Sequence, residues 1–303
     1  MSLLNTLVAS AIPLAPRALI RKVSRRYIAG DTVADVIKRV AALNAAGFSA
    51  TVDVLGETVE SLSQADNTAS EYLKVLEAIA RDGLRANISV KPTALGLLLG
   101  ATHCERNLEC LLNAAKGHST FVRIDMEDSS CTQREIDLLL RIKSRGYGNV
   151  GLVVQAYLKR TDNDITPLLG THENLRICKG IYVEGREHLV EDAWRDRRAI
   201  NPHFLRQVAR CFGSGTFVGV ATHDEDLIDQ VIALAGGQGI AKTAFEFQML
   251  LGVRESLRDR LLAAGYAVRI YVPYGKDWYG YSMRRIKENP RIADHLLRAL
   301  LTR

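Results

Sequence analysis

The sequence lacks several common functional signals. The five cysteines (Cys104, Cys110, Cys131, Cys178, Cys211) are odd in number and form no CxxC pair. That argues against a disulfide framework or a zinc site and fits a reducing compartment. Two histidines and a carboxylate at metal spacing are also missing, so no metal is expected. No apolar run approaches the 18 or so residues of a spanning helix. No GxGxxG follows an early strand-like run. The glycine cluster Gly236-Gly237-Gln238-Gly239 instead closes a helical pattern, which is loop chemistry and not a dinucleotide fingerprint. A net charge of +6 is too weak to argue nucleic-acid binding without a localised patch or an aromatic-interleaved basic motif, and no nucleic-acid partner is expected.

Acidic residues are absent before Asp31, while Arg17, Arg21, Lys22, Arg25 and Arg26 cluster there. Leu3 to Leu14 is apolar, but the basic residues follow it, the wrong order for a secretory signal. Three readings stand: a leading helix with a solvated basic face, contact with an anionic membrane surface, or a transit peptide. The amphipathic tail (Ile292, Leu296, Leu297, Leu300, Leu301) is a second candidate for membrane contact. Together they make a peripheral place on the inner face of the cell membrane, otherwise cytoplasmic, the expected location. The sequence carries no signal for oligomeric state.

What is present is a repeated alternation. Strand-like runs begin near Phe48, Ala86, Phe121, Val150, Leu175, Thr216, Ala244 and Val268, about 24 to 41 residues apart. That is the length of a strand, a helix and two loops. Helical periodicity fills Thr32 to Ala46, Ala69 to Ala80, Ile136 to Ile142, His188 to Cys211, Asp224 to Ala235 and Val253 to Ala264. Eight such units predict a (β/α)8 TIM-like barrel over residues 47–303, preceded by a helical segment over 1–46, in one domain overall.

A barrel carries its chemistry at the carboxyl ends of its strands. Those ends read Asp53 and Glu57, Lys91, Asp125 and Glu127, Gln155 and Tyr157, Arg176 and Lys179, Thr222 and His223, Glu246 and Gln248, and Tyr271. Every strand delivers a polar or ionisable group there, which a purely structural barrel has no reason to do. Lys91 stands open to three readings: a Schiff-base lysine, a carboxylate anchor or a surface lysine. Asp125, on the next strand, is expected to ion-pair with it and keep it charged, which suits an anchor. Arg176 and Lys179 have the wrong spacing to share one face of a strand, so one works from the strand end, where Gly180 lets backbone approach a ligand. Thr222-His223-Asp224 has no partner Ser or Cys for a triad, and His223 is expected to bind a phosphate or cap a helix.

The most unusual stretch runs from Arg269 to Asn289. After a strand and a break at Pro273-Tyr274-Gly275, Tyr281, Arg284, Arg285 and Glu288 recur at helical spacing. A core-facing helix would put an apolar stripe there. Adjacent arginines beside Tyr271, Tyr274, Tyr279 and Tyr281 point to a clamp for a carboxylate.

Taken together, KPT, RIDMED, VVQAY, RICKGIY, ATHD, EFQML, RIYVPYG and the YxxRRxxE helix resemble the proline dehydrogenase family in its monofunctional bacterial form, from about Phe48 to Asn289. The resemblance implies a distorted barrel with N-terminal helices, and a C-terminal helix over its mouth. It implies non-covalent FAD, and oxidation of L-proline to Δ1-pyrroline-5-carboxylate by hydride transfer from C5 to flavin N5. Electrons would pass to a membrane quinone. Carried over residue by residue, Lys91, Arg284 and Arg285 bind the proline carboxylate, Asp125 holds that cluster, and Glu288 orients the arginine pair. Tyr271, Tyr281 and Tyr182 wall the ring. Arg176 and Gln155 meet the flavin. Lys179, Gly180, Thr222, His223 and Glu246 are cofactor positions. Ile181 departs from the small residue common in the family's KGAY. Two alternatives remain: a 4-hydroxyproline dehydrogenase, which the resemblance gives a serine at the place of Tyr271, and a colourless Schiff-base lyase or aldolase using Lys91 or Lys179.

Overall fold

Each of the eight strands starts within one residue of its predicted place: β1 Ser49–Val54, β2 Ala86–Val90, β3 Val122–Ile124, β4 Val150–Gln155, β5 Asn174–Cys178, β6 Phe217–Ala221, β7 Phe245–Leu250 and β8 Val268–Tyr274. They pair in parallel, in chain order, and close into a barrel. Closure is through β1, where Ala50 lies opposite Ala86 of β2 and Ile270 of β8. These statements come from a computed structural model that describes residues 17–56, 59–170 and 172–288. The side chains of residues 18, 19, 22, 23 and 284–288 lie outside that description. So do Glu57, the Leu3–Leu14 stretch and the amphipathic tail after residue 288.

The helices are α1 Arg17–Ser24, α2 Val33–Ala45, α3 Leu62–Arg81, α4 Ala101–Gly117, α5 Thr132–Ser144, α6 Thr161–Asp164, α7 Asn201–Ser214, α8 Glu225–Gly237, α9 Glu255–Ala263 and α10 Trp278–Glu288. Three of the longer helices differ most from expectation, and the one-turn α6 was not predicted. α3 begins seven residues before Ala69 because Ser61 caps it, accepting from Gln64 N, ahead of a polar first turn with little apolar periodicity. α4 was not predicted; no side chain caps it and its buried stripe opens with Cys104 before Leu108, Leu111, Leu112 and Ala115. The long helix expected from His188 does not form. α7 starts only at Asn201, with a proline in its first turn and a 3-10 turn at Arg197–Ile200 before it.

Alternate strand residues divide the protein into two environments. Val52, Ile88, Ile124, Leu152, Ile177, Val220, Phe247 and Ile270 are fully buried and belong to one apolar cluster with helix residues such as Leu76, Leu108, Leu139 and Val231. The other face of most strands points into the barrel, and it is largely polar: Thr51 and Asp53, Asn87 and Ser89, Arg123 and Asp125, Arg176, Glu246 and Gln248, Arg269 and Tyr271. Barrel interiors are ordinarily filled with Val, Ile and Leu. This one holds three ion pairs, Lys91–Asp53, Arg176–Asp125 and Arg269–Glu246, among neutral polar side chains, while Arg123 donates to Leu152 O and Asn174 O.

The N-terminal elements brace the β8 end. Ala29 N donates to Pro273 O (2.9 Å), and Gly275 N donates to Gly30 O (2.9 Å). α2 is held by a capping box between Thr32 and Asp35. α10 follows β8 and packs its first turn on α1, with the Arg17 guanidinium 4.9 Å from the Tyr279 ring and that of Arg21 5.2 Å from Trp278.

Candidate active site

The carboxyl ends of β1, β2, β3, β5, β7 and β8 converge on one charged cluster. Lys91 follows β2 directly, and its Nζ lies 2.8 Å from Asp53 Oδ1 and 4.0 Å from Asp125 Oδ2. The expected ion pair with Asp125 is present, but the nearer partner, in hydrogen-bond contact, is Asp53. Asp125 has other partners: Ser89 Oγ donates to Oδ1 at 2.6 Å, Arg176 Nη1 to the same oxygen at 2.8 Å, and Tyr271 OH to Oδ2 at 2.8 Å. Arg176 also donates Nη1–H to Ser89 Oγ (3.1 Å) and Nε–H to Gln248 Oε1 (2.5 Å). The Tyr271 ring centroid lies 5.3 Å from the Arg176 guanidinium carbon.

Electrostatics decides the character of Lys91. Burial alone would push its pKa down, but Asp53 first, then Asp125 and Glu127, overcome this and raise it. The amine stays an ammonium, which is the anchor reading and works against a Schiff base. Burial, with Asp125 and Asp53 nearby, holds the Tyr271 phenol well above its ordinary pKa, so it remains a donor.

Arg176 Nη2 is the unusual atom. It is buried and has no hydrogen-bond partner, while the Nε and Nη1 of the same group are both engaged. A buried donor left without an acceptor is costly, and an arginine held by its other nitrogens presents that donor in a set direction. An acceptor-rich planar group would satisfy it.

Around this centre the other predicted positions separate. Gln155 is buried at the end of β4, where Nε2 donates to Glu127 O (2.7 Å) and Oε1 accepts from Ile181 N (3.4 Å). Lys179 Nζ bonds Asp224 Oδ2 at 2.6 Å, and Asn201 Nδ2 reaches the same oxygen at 3.1 Å. Burial works to raise the Asp224 pKa, but Lys179 and Asn201 lower it overall. Gly180 has φ +105°, and a Cβ there would come within 2.6 Å of Tyr157 Cγ, so only glycine fits. Thr222 Oγ1 accepts from Asp224 N at 3.2 Å. His223 does not cap α8; Asp224 does, accepting from Leu227 N, while His223 Nε2 accepts from Leu250 N at 2.9 Å. Tyr182 is half-buried on the loop after β5, and Tyr281 is buried on α10. The side chains of Arg284, Arg285 and Glu288 lie outside the described residues, so the clamp they were expected to form has no geometry here.

Glu246 is a correction. It is the second residue of β7, at the amino-terminal half of the barrel, where Arg269 Nε donates to its Oε1 at 2.6 Å. There it lines a cavity of about 630 Å³ with Arg85, Asn87, Arg123, Asn174 and Arg269, at the end of the barrel opposite the cluster. The strand begins at Phe245, so Gln248 reaches the carboxyl side and Glu246 does not. Asp53 and Gln248 stand among the strand-end residues read from sequence but carried no assigned role there, and Ser89 was not singled out. Polar residues two apart on successive strands (Thr51 and Asp53, Asn87 and Ser89, Arg123 and Asp125) were the available signal. Among the described residues no group of three His, Cys, Asp or Glu could hold a metal ion.

Comparison with known proteins agrees with this architecture. The family model described as proline dehydrogenase matches residues 36–297. "Proline dehydrogenase 1" of Bacillus subtilis is 38% identical over 278 residues, 92% of this chain and 90% of that protein. "Proline dehydrogenase" of Deinococcus radiodurans is 34% identical over 286 residues, again 92% and 90% of the two chains. A crystal structure of proline utilization A (PutA) from Bdellovibrio bacteriovorus inactivated by N-propargylglycine matches in fold, with TM-score 0.80 at 21% identity. It covers 89% of this chain, which spans about 33% of that longer one. The chain belongs to the proline dehydrogenase family, whose members are oxidoreductases acting on proline.

Proposed function

We propose that this member of the proline dehydrogenase family oxidises L-proline to Δ1-pyrroline-5-carboxylate using non-covalently bound FAD, and that the electrons go on to a membrane quinone. The observation that carries the reading is the unpartnered, buried Arg176 Nη2 beside a lysine kept charged by two aspartates. The residues present fit a flavin: a guanidinium with one donor to spare, an amide at Gln155, and Lys179, Thr222 and His223 at neighbouring strand ends. FAD, when bound, supplies the acceptor for the two electrons removed from C5 of proline.

The chain's own part is binding and orientation. Lys91, joined in this proposal by Arg284 and Arg285, holds the proline carboxylate. Asp125 keeps Arg176 and Tyr271 in place through its two oxygens. Tyr271, Tyr281 and Tyr182 are proposed to wall the ring, and Glu288 to orient the arginine pair. A cationic enclosure favours the neutral amine of proline, the form that can be oxidised. Tyr271 favours proline over 4-hydroxyproline, since its ring and hydroxyl occupy the space where a smaller residue would admit another oxygen. Glu246, on the far side of the barrel interior, is not a cofactor contact in this proposal.

Among the described residues no helix is long and apolar enough to cross a membrane. The basic, acid-free N-terminus supports peripheral contact with the inner face of the cell membrane, where a quinone is reached. Retention on anionic liposomes that is lost at high salt is expected; no binding at low salt would remove this part.

The visible spectrum of the purified protein, taken anaerobically before and after L-proline, tests the function. Flavin bands that bleach with proline and not with 4-hydroxyproline are expected. A colourless protein that takes up no added FAD and is trapped on Lys91 by borohydride would replace this reading with the lyase.

A further inference from the structure

Glu246 is too far down the barrel to meet a ligand at the mouth, yet a hydrogen-bonded line connects it to Arg176. Arg269 Nε donates to Glu246 Oε1 at 2.6 Å, and Gln248 Nε2 donates to that same oxygen at 2.6 Å. Gln248 Oε1 then accepts from Arg176 Nε at 2.5 Å, and Arg176 Nη1 donates to Asp125 Oδ1 at 2.8 Å. Gln248 and Arg176 are each more than nine-tenths buried and neither lines the lower cavity that Glu246 borders, so water does not replace a partner lost between those two.

The middle member of this line is an amide, which has one donating and one accepting end. Arg176 can only donate, so the line works only with the Gln248 carbonyl turned toward it. Glu246, as a carboxylate, can only accept, and it draws the amide NH₂ to the opposite side. Turned over, Gln248 would set an NH₂ against a guanidinium, two donors facing each other. Two further features keep the arrangement. Arg269 is tied down by Nη1 donation to Ala50 O (2.9 Å), which holds Glu246 in turn. On the neighbouring strand, Gly219 leaves the space that Gln248 fills, since a Cβ there would lie 2.8 Å from Gln248 Cδ.

We propose that Glu246 is a positioning residue: by orienting Gln248 it sets the plane of Arg176, and hence the direction of its unpartnered Nη2. The importance of that direction for turnover rests on the function proposed above; the orientation itself does not. Arginine side chains report on this without any turnover. In the FAD-loaded, ¹⁵N-arginine-labelled protein, the Arg176 Nε–H resonance is assigned by its loss in Arg176→Lys. Glu246→Leu and Gly219→Ala are expected to shift that resonance and speed its exchange with water, while Glu246→Gln, which keeps an accepting oxygen, leaves it near its native place. In steady-state kinetics kcat should fall about 10-fold in the first two variants with KM within about twofold, the pattern of a misaligned group and not of a lost substrate contact. If Glu246→Leu does not fold, Gly219→Ala carries the test. An Arg176 resonance and kcat that stay at wild-type values, with only the melting temperature lowered, would overturn the proposal. A shifted resonance in a protein that proline does not bleach would uphold the positioning and reject the function.

Discussion

Lys91 Nζ lies 2.8 Å from Asp53 Oδ1, on the strand before its own, and 4.0 Å from Asp125 Oδ2 on the strand after. The lysine is thus flanked by two carboxylates, one in hydrogen-bond contact and one held back by its own bonds to Ser89, Arg176 and Tyr271. A single cation between two anions leaves the cluster short of positive charge until Arg176 is counted.

Removing one member of a buried pair strands the other. Asp53 is almost fully buried, so Lys91→Met should destabilise the fold by about 3 kcal/mol, and Asp53→Asn combined with Lys91→Met by less than the sum of the two single changes. Urea denaturation measures both. Additive losses would mean the two side chains do not depend on each other.

Tyr271→Phe keeps the ring beside Arg176 and deletes the donor to Asp125 Oδ2. The lost bond is to a charged acceptor, so kcat/KM for proline should drop about 10-fold while the protein stays folded and yellow. Unchanged kinetics would show that one oxygen of Asp125 suffices.

Glu135 gives a pH signature. It is fully buried on α5, with both oxygens accepting from Glu127 N, at 3.1 and 3.2 Å. Burial, aided by the Glu127 carboxylate, pushes its pKa up to about 9. In the unfolded chain it ionises near pH 4.5, so across the window from there to about 9 the folded state holds a proton that the unfolded state has lost. Its stabilising effect is complete below that window and disappears as pH rises through it, at up to about 1.4 kcal/mol per pH unit. Glu135→Gln, which keeps an acceptor for Glu127 N, should therefore gain on the wild type in urea midpoint as pH rises from 5 to 9. A gap that does not widen would place the native pKa near its ordinary value.

The thiols should divide sharply. All five cysteines are free, and only Cys110 is exposed. Burial pushes the Cys104 and Cys211 thiols up to about 12 and Cys178 to about 11, and raises Cys131 as well. At pH 8 a disulfide reagent should titrate one thiol quickly in the native protein and all five after unfolding. Rapid loss of a second native thiol would show that burial does not protect the other four.

The sequence by itself determined the barrel, because parallel strands between helices leave a pattern that depends only on neighbours along the chain: short apolar runs at a regular interval, each ending in a polar residue. Lys91, Asp125, Arg176 and Tyr271 were legible for the same reason, as ionisable groups at strand ends. Where helix signals were weak, at the uncapped start of α4, or misleading, as in the irregular stretch before Pro202, the boundaries failed. Tertiary structure alone decided who pairs with whom. Asp53 outranks Asp125 as the partner of Lys91, and Glu246 falls on the amino-terminal side of the barrel while Gln248, two residues on, reaches Arg176. Those outcomes depend on the register between strands and on which residues face across the interior. Register shifts of a single residue exchange inside for outside, and distances across a closed barrel have no counterpart in sequence separation.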